Sequence, residues 1–192
     1  MKLMIDLFSG FGGASEAFRL EGWSVLRYDN NPALQGVPGT TLCDLMEYEI
    51  KCRHPIEIIW ASPPCLAFST AFLSPKSKAA RAGEDYKPDM KLITRAIQII
   101  EELKPKHWII EGVAGGSKDF EKLLGPPRQI IGPFLLWGVF PFIHVPKDWQ
   151  HFKSENDKRH SDLRANYRAK IPIQISAGLL EAVTTQRTLA WR

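Results

Sequence analysis

The chain alternates short apolar runs with amphipathic stretches, and the spacing of its apolar positions predicts alternating strands and helices. Leu3–Phe8 (LMIDLF) reads as a first strand, Gly10–Gly13 as a tight glycine turn and Ala14–Glu21 as a helix. Trp23–Tyr28 (WSVLRY) predicts a second strand ending at Asp29, and Thr40–Leu45 a short third ending near Asp44. Ile56–Ala61 (IEIIWA) predicts a fourth, which runs into Ser62-Pro63-Pro64-Cys65. Residues 71–87 are polar and basic and read as a long loop. Pro88–Leu103 places Met90, Ile93, Ile97, Ile100 and Leu103 at helical spacing. His107–Ile110 reads as a fifth strand ending at Glu111, Phe134–Trp137 as a sixth, and Gln174–Val183 as a last helix introduced by Pro172.

Strands alternating with helices predict an α/β fold, a mostly parallel sheet with helices on both faces. The 192 residues suit one domain spanning 1–192, with no internal repeat or linker. Residues 144–170 are the least core-like stretch, polar with seven Lys or Arg, and read as a basic excursion from the sheet. At 44% hydrophobic and 24% charged, the composition is that of a globular protein. No apolar run approaches the ~20 residues of a membrane span, so no membrane partner is expected. The first ten residues, MKLMIDLFSG, meet an Asp and a Gly too soon for a signal peptide. Cys43, Cys52 and Cys65 form an odd, sparse set without a CxxC pair. That argues against a disulfide framework and a zinc knuckle, and fits a reducing, cytoplasmic setting. The five histidines, His54, His107, His144, His151 and His160, show no ligand spacing, so no metal is expected. A net charge of +4 permits a nucleic-acid partner without establishing one.

Asp6, Asp29, Asp44, Cys65 and Glu111 each fall at or near the end of an expected strand. In open parallel sheets ligands bind at the carboxyl ends of the strands, so together these residues would line one rim. Any single Asp there has the simpler reading that Asp favours strand-to-loop turns. The turn DLFSGFGG supplies Gly10 and Gly12 as the first two glycines of a dinucleotide fingerprint, but Ser15 stands in the third slot. Asp29, about 20 residues on, is placed to hold a ribose diol. An adenosine-containing cofactor follows more readily than a nicotinamide dinucleotide.

Cys65 follows a rigid Pro-Pro and precedes a loop carrying Lys76, Lys78, Arg81 and Lys87. Nearby positive charge is one way to activate a thiol, whose free pKa is near ~8.5. Taken alone, Cys65 reads equally as a nucleophile or as a buried thiol; Cys43 and Cys52 read as structural.

DLFSGFGG, PPC after the fourth strand and Glu111-Gly112-Val113 after the fifth, in that order and spacing, resemble the cytosine-5 DNA methyltransferases from about Leu3 to Val183. The resemblance implies a Rossmann-like methyltransferase fold with S-adenosylmethionine as cofactor and DNA as partner. It implies that Phe8, Gly10 and Gly12 shape the cofactor pocket, that Asp29 holds the ribose and that Asp44 holds the adenine amino group. Asp6, Gly13, Asn30, Leu45 and Pro63 join that set, and Ser176 on the last helix would lie near it. Cys65 would be the nucleophile and Glu111 would contact the cytosine edge. Arg128 is carried over from Gly125-Pro126-Pro127-Arg128-Gln129, the nearest match to the family's Gln-x-Arg-x-Arg segment.

The chain departs from the family pattern in three places. Gly112 replaces an Asn that helps hold the loop, a Gly-Asn-Ser-Val segment is missing, and the interval that usually carries a target-recognition domain is only 144–170. Lys147, Lys153, Lys158, Arg159 and Arg164 read either as phosphate contacts or as a solvated surface. Trp149, Phe152 and Tyr167 read either as base-stacking groups or as packing for the loop. Short-site or relaxed specificity, or a separate recognition subunit, is expected. The rival readings are the same chemistry on RNA or a free cytosine nucleotide, and a silent binding module that keeps the fold.

Overall fold

Leu3–Leu7 forms a strand, β1, that is buried along its whole length. Such a strand belongs inside a sheet covered on both faces. That is its place in the computed structural model, which describes residues 2–68, 74–151 and 163–185. The other strands are β2 (Ser24–Asp29), β3 (Thr40–Leu42), β4 (Ile58–Ala61), β5 (His107–Val113), β6 (Gln129–Ile131) and β7 (Phe134–Val139). They join β1 in one sheet of order β3-β2-β1-β4-β5-β7-β6. The first five in that order are mutually parallel, whereas β7 runs antiparallel to both β5 and β6. The helices are α1 (Glu16–Leu20), α2 (Pro75–Ala82), α3 (Lys91–Leu103), α4 (Ser117–Leu124), α5 (Arg164–Ala169) and α6 (Ile173–Thr185).

Alternation along the strands divides the interior into two cores. Ile5, Leu7, Ile59, Ala61 and Ile110 pack with Ile93, Ala96 and Ile99 of α3 and Phe120 of α4. Met4, Ile58, Trp60 and Ile109 pack on the other face with Phe18 of α1 and Ile175, Leu179 and Val183 of α6. The sheet is thus mostly parallel and covered on both faces, as the alternation of elements predicts. The chain builds outward from β1 through β2 to β3, then crosses to β4 on the other side. This reversal puts the switch point, where open α/β sheets bind ligands, at the carboxyl ends of β1 and β4. No helix among the described residues is long and apolar enough to cross a membrane.

Three elements differ from the sequence reading. The expected loop 71–87 contains α2, capped by Ser74, whose hydroxyl accepts from Ser77 N–H at 3.2 Å, and closed by Gly83 at φ 71°. Helix α2 buries none of its residues, so it leaves no apolar period to detect. Helix α4 buries Phe120 alone, and was invisible for the same reason. The last strands form an antiparallel hairpin turning at Gly132, φ 56°.

Candidate active site

Strand β1 stops where the backbone turns left-handed. Phe8 has φ 55°, Gly10 51° and Gly12 68°. For a side chain such as that of Phe8 this region costs about 1–2 kcal/mol, so the turn has to be held from outside. Ser9 N–H donates to the Tyr28 carbonyl at 3.0 Å, and Gly10 N–H donates to Asp29 Oδ2 at 2.8 Å.

Beneath the turn lies a buried polar group that the sequence reading missed. Arg27, 1% exposed, donates through Nε to Ser15 Oγ (2.9 Å) and through Nη2 to the Gly12 carbonyl (3.1 Å). Nη2 also reaches Glu16 Oε2 (2.8 Å), and Nη1 the Pro38 carbonyl (2.9 Å). A Cβ at Gly12 would overlap this guanidinium, so glycine is required there for space as well as for φ. Arg19, and after it Arg27, hold the Glu16 carboxyl down at about 2. Ser15 Oγ donates to Asp6 Oδ2 at 2.6 Å. The serine in the third glycine slot is therefore the node joining Asp6 to Arg27. Its signal in the sequence was the lone charge inside WSVLRY.

The structure corrects the expectation for Asp6. It is 1% exposed and lies under the glycine turn, not on the rim. Burial pushes its carboxyl up to about 7, against the opposing pull of Ser15 and Arg27.

Asp29 does stand on the rim, at the tip of β2. Its Oδ1 accepts from Asn31 N–H (2.9 Å) while Oδ2 takes Gly10 N–H. Asp29 O accepts from Cys43 N–H (2.9 Å), which brings the segment leading to Asp44 alongside. Asn30 and Asp44 are exposed and Leu45 is buried. Asp44 Oδ1 accepts from Met46 N–H (2.9 Å), and Arg95 Nε donates to the Leu45 carbonyl (2.8 Å).

On the other side of the switch point, Ser62 N–H donates to the Leu7 carbonyl at 3.1 Å, seating the tip of β4 beside the tip of β1. Pro63 is buried, Pro64 exposed and Cys65 half-buried. β4 and β5 pair Trp60 with Ile109 and Ala61 with Ile110, so Ser62 stands next to Glu111. Burial pushes the Glu111 carboxyl up to about 7, while a hydrogen bond with Ser62 opposes the rise. Burial, and then the Glu111 charge, push the Cys65 thiol above its ordinary value. Of the basic segment that follows, Lys76 Nζ donates to the Gly115 carbonyl, and burial, not a cation, leads the effects on the thiol.

The Gly112 departure has a physical reason. A Cβ there would sit 2.9 Å from Phe120 Cε1 and 3.1 Å from Trp137 Cζ3. Phe68, three residues after Cys65, meets Phe120 edge-on (5.2 Å between centroids), and Phe120 meets Trp137 (4.9 Å). Aromatic packing holds the Cys65 turn from its far end, in the space that a side chain at 112 would need.

Two expected site residues lie elsewhere. Arg128 Nε donates to the Phe140 carbonyl (2.7 Å), beyond the end of β7 that pairs with the start of β5, so the structure does not bring it to Cys65 and Glu111. Ser176 is fully buried, donating to the Ala14 carbonyl (2.7 Å) and accepting from Ala17 N–H (3.1 Å). It fastens α6 to α1 behind the glycine turn and does not face the pocket.

Part of the basic excursion returns to the rim. Tyr167 stacks on Phe11 (4.5 Å), Asn31 Nδ2 donates to Asn166 Oδ1 (3.3 Å), and a Cβ at Gly13 would overlap the Ile171 carbonyl. Tyr167 thus packs the glycine turn instead of presenting a free stacking face. Lys147 and Arg164 are exposed, whereas Phe152, Lys153, Lys158 and Arg159 lie outside the described residues. Among the described residues no three His, Cys, Asp or Glu side chains group as metal ligands.

Comparison with known proteins bears on this rim. The family model for C-5 cytosine-specific DNA methylases matches residues 3–122, from β1 through most of α4, and stops well short of Val183. A probable DNA (cytosine-5)-methyltransferase of Frog virus 3 is 31% identical over 118 residues, covering 56% of this chain and 52% of its own. The chain thus spans about half the length of that curated relative. Among solved structures, a putative DNA modification methyltransferase encoded within an Escherichia coli prophage aligns with a TM-score of 0.47 at 19% identity, over 72% of this chain and 47% of that one. The Pyrococcus abyssi tRNA (uracil-54, C5)-methyltransferase aligns with a TM-score of 0.43 at 16% identity, over 72% and 34% of the two chains. The matched region holds the glycine turn, the Asp29 tip, the Pro-Pro-Cys turn and Glu111, and on that match the chain belongs to the C-5 cytosine-specific DNA methylase family.

Proposed function

We propose that this chain methylates carbon 5 of cytosine in DNA through a Cys65 adduct at carbon 6. The observation that carries the reading is that the Cys65 turn after β4 and Glu111 near the end of β5 sit at the carboxyl ends of adjacent parallel strands, beside the glycine turn at the switch point.

S-adenosylmethionine is the cofactor of this family, and the residues present fit it. Asp29 spends one lone pair of each oxygen on a backbone N–H, which leaves two acceptor positions for a ribose diol. Gly10 takes φ 51°, a conformation that favours glycine, and its bare backbone lies open at the rim. Asp29 and the exposed Asp44 would hold the nucleoside, with Phe8 and Pro63 lining the pocket. When bound, the cofactor supplies a methyl group activated on a sulfonium.

Carbon 5 of cytosine is a weak nucleophile. Cys65 gives its thiol proton to solvent base and its thiolate adds to carbon 6, the ring electrons move toward carbon 5, and the Glu111 carboxyl gives its proton to ring N3. A carboxyl titrating at about 7 is protonated often enough near neutrality to do so. After carbon 5 is alkylated it loses its proton to solvent base, the C6–S bond breaks, and Glu111 takes back the N3 proton. A base inside a duplex would have to be flipped out to reach these groups.

Asn166, Tyr167 and Ile171 pack on the rim beside the glycine turn, so base reading falls to the rest of 144–170 or to a separate recognition subunit. We infer short-site or relaxed specificity for the chain alone. The test is transfer of labelled methyl to mixed-sequence DNA by wild type and Cys65→Ala, with RNA and cytidine nucleotides in parallel. Label on DNA with wild type alone supports the reading. Label on RNA or nucleotide only, or equal labelling by both proteins, refutes it.

A further inference from the structure

We propose that Ser62, held by the Trp60 indole, is the positioning residue that fixes the Glu111 carboxyl. The inference rests on the reading of Glu111 as the acid that faces the base. Trp60 is fully buried and its Nε1 donates to Ser62 Oγ at 2.8 Å. An indole nitrogen only donates, so the Ser62 oxygen accepts there and its own proton is left for another partner. The partner we assign to it is the Glu111 carboxyl, which the β4–β5 register sets beside Ser62. Residues 60 and 62 alternate onto the same sheet face as 109 and 111, and the Trp60–Ile109 register sets the two side chains side by side.

The backbone at Ser62 is fixed as well, since its N–H donates to the Leu7 carbonyl. Ser62 also lies three residues before Cys65. One short segment therefore carries both the thiol and the group that orients the acid.

An ionised carboxylate accepts only, so the Ser62 hydroxyl donates to it and favours the charged form. With one carboxyl oxygen occupied by Ser62, the other is the one left to carry a proton toward a ligand. Cys65 is the titratable group that faces Glu111 across the β4–β5 pair; no other described ionisable group acts on it. Without the hydroxyl, burial acts unopposed and Glu111 holds its proton to higher pH.

The experiment is a carbon-13 NMR titration of the Glu111 carboxyl in the free full chain, assigned with Glu111→Gln, for wild type, Ser62→Ala, Ser62→Thr and Trp60→Phe. Methyl-transfer pH profiles of the same proteins run alongside. The Glu111 midpoint is expected to rise by about one pH unit in Ser62→Ala, in line with loss of one hydrogen bond to a charged group. It should return toward wild type in Ser62→Thr and rise by a smaller amount in Trp60→Phe. The basic limb of the rate profile should move with the midpoint, and the plateau rate should fall about tenfold or more in Ser62→Ala. A folded Ser62→Ala with an unmoved midpoint, or a Ser62→Thr that restores nothing, overturns the proposal. If the midpoints move as expected but wild type methylates no nucleic acid, the relay stands and the function assigned above falls. If DNA is methylated and the midpoint stays, the relay falls and the function stands.

Discussion

Restoring the family's asparagine at position 112 should damage this protein. The Cβ of Gly112→Asn would land 2.9 and 3.0 Å from Phe120 Cε1 and Cζ and 3.1 Å from Trp137 Cζ3. Neither ring has room to retreat. Phe68, Phe120 and Trp137 are each at most 2% exposed and packed in series, and Trp137 Nε1 donates to the Gly125 carbonyl at 2.9 Å. Overpacking of a tight core costs about 1–3 kcal/mol, and an amide buried against aromatic rings without a partner adds a further ~1–3 kcal/mol. Together these come to about 2–6 kcal/mol, and at roughly 2–4 °C per kcal/mol for a chain of this size the melting temperature should drop by about 4–24 °C. Gly112→Ala carries the steric part alone and should lose about 1–3 kcal/mol. Thermal and urea denaturation of both variants measures this, and Gly112→Ala combined with Phe120→Leu provides the control. The double variant should recover part of the loss of Gly112→Ala relative to Phe120→Leu alone, because the smaller side chain vacates the contested space. A Gly112→Asn protein as stable as wild type, or additive costs in the double variant, would refute the reasoning.

The remaining predictions concern charge and the thiol. Arg27→Met should cost about 1–3 kcal/mol, because it removes the donors to Ser15 Oγ and the Pro38 carbonyl from a buried site, while Glu16 keeps Arg19; calorimetry should show the loss, together with weaker S-adenosylmethionine binding. Asp6 keeps to about pH 7 a proton that the unfolded chain sheds near ~4, so its contribution to stability is lost as pH rises from about 4 to about 7. Urea unfolding across that window should show a shallower decline in Asp6→Asn. The free Cys65 thiol is raised, so its alkylation by iodoacetamide should be slow at neutral pH, climb only above the ordinary thiol range, and speed up in Glu111→Gln. Tyr167→Ala removes the stack on Phe11 and should weaken cofactor binding several-fold with little change in melting temperature, as equilibrium dialysis would report.

The frame of the sheet was legible because its strands are buried on both faces and stand out as apolar runs bounded by turn residues. The rim was legible in part, through Asp29, Cys65 and Glu111 at strand ends. Helices α2 and α4 were not, because a helix that buries no side chain, or a single Phe120, leaves no period to find. Asp6 was misplaced because alternation along β1 decides which face a side chain takes, and Ser15, the partner that draws it under the turn, is on a different element. Arg128 was carried over on a motif whose surroundings differ here, and its guanidinium goes to Phe140.

Two departures share one explanation, Ser15 from the dinucleotide fingerprint and Gly112 from the family pattern. Each faces a group supplied by another element of the fold. Arg27 comes up from β2 into the space under the glycine turn, and it needs an acceptor at position 15 more than the turn needs a third glycine. Phe120 and Trp137 close on position 112, and the glycine gives them room. A departure that breaks a site leaves a cavity or an unpaired group behind. Here each departure is filled: Ser15 Oγ binds both Asp6 and Arg27, and the rings occupy the Gly112 side of β5. The substitutions are therefore halves of pairs, and it is the pairs that keep the cofactor turn and the thiol turn in place.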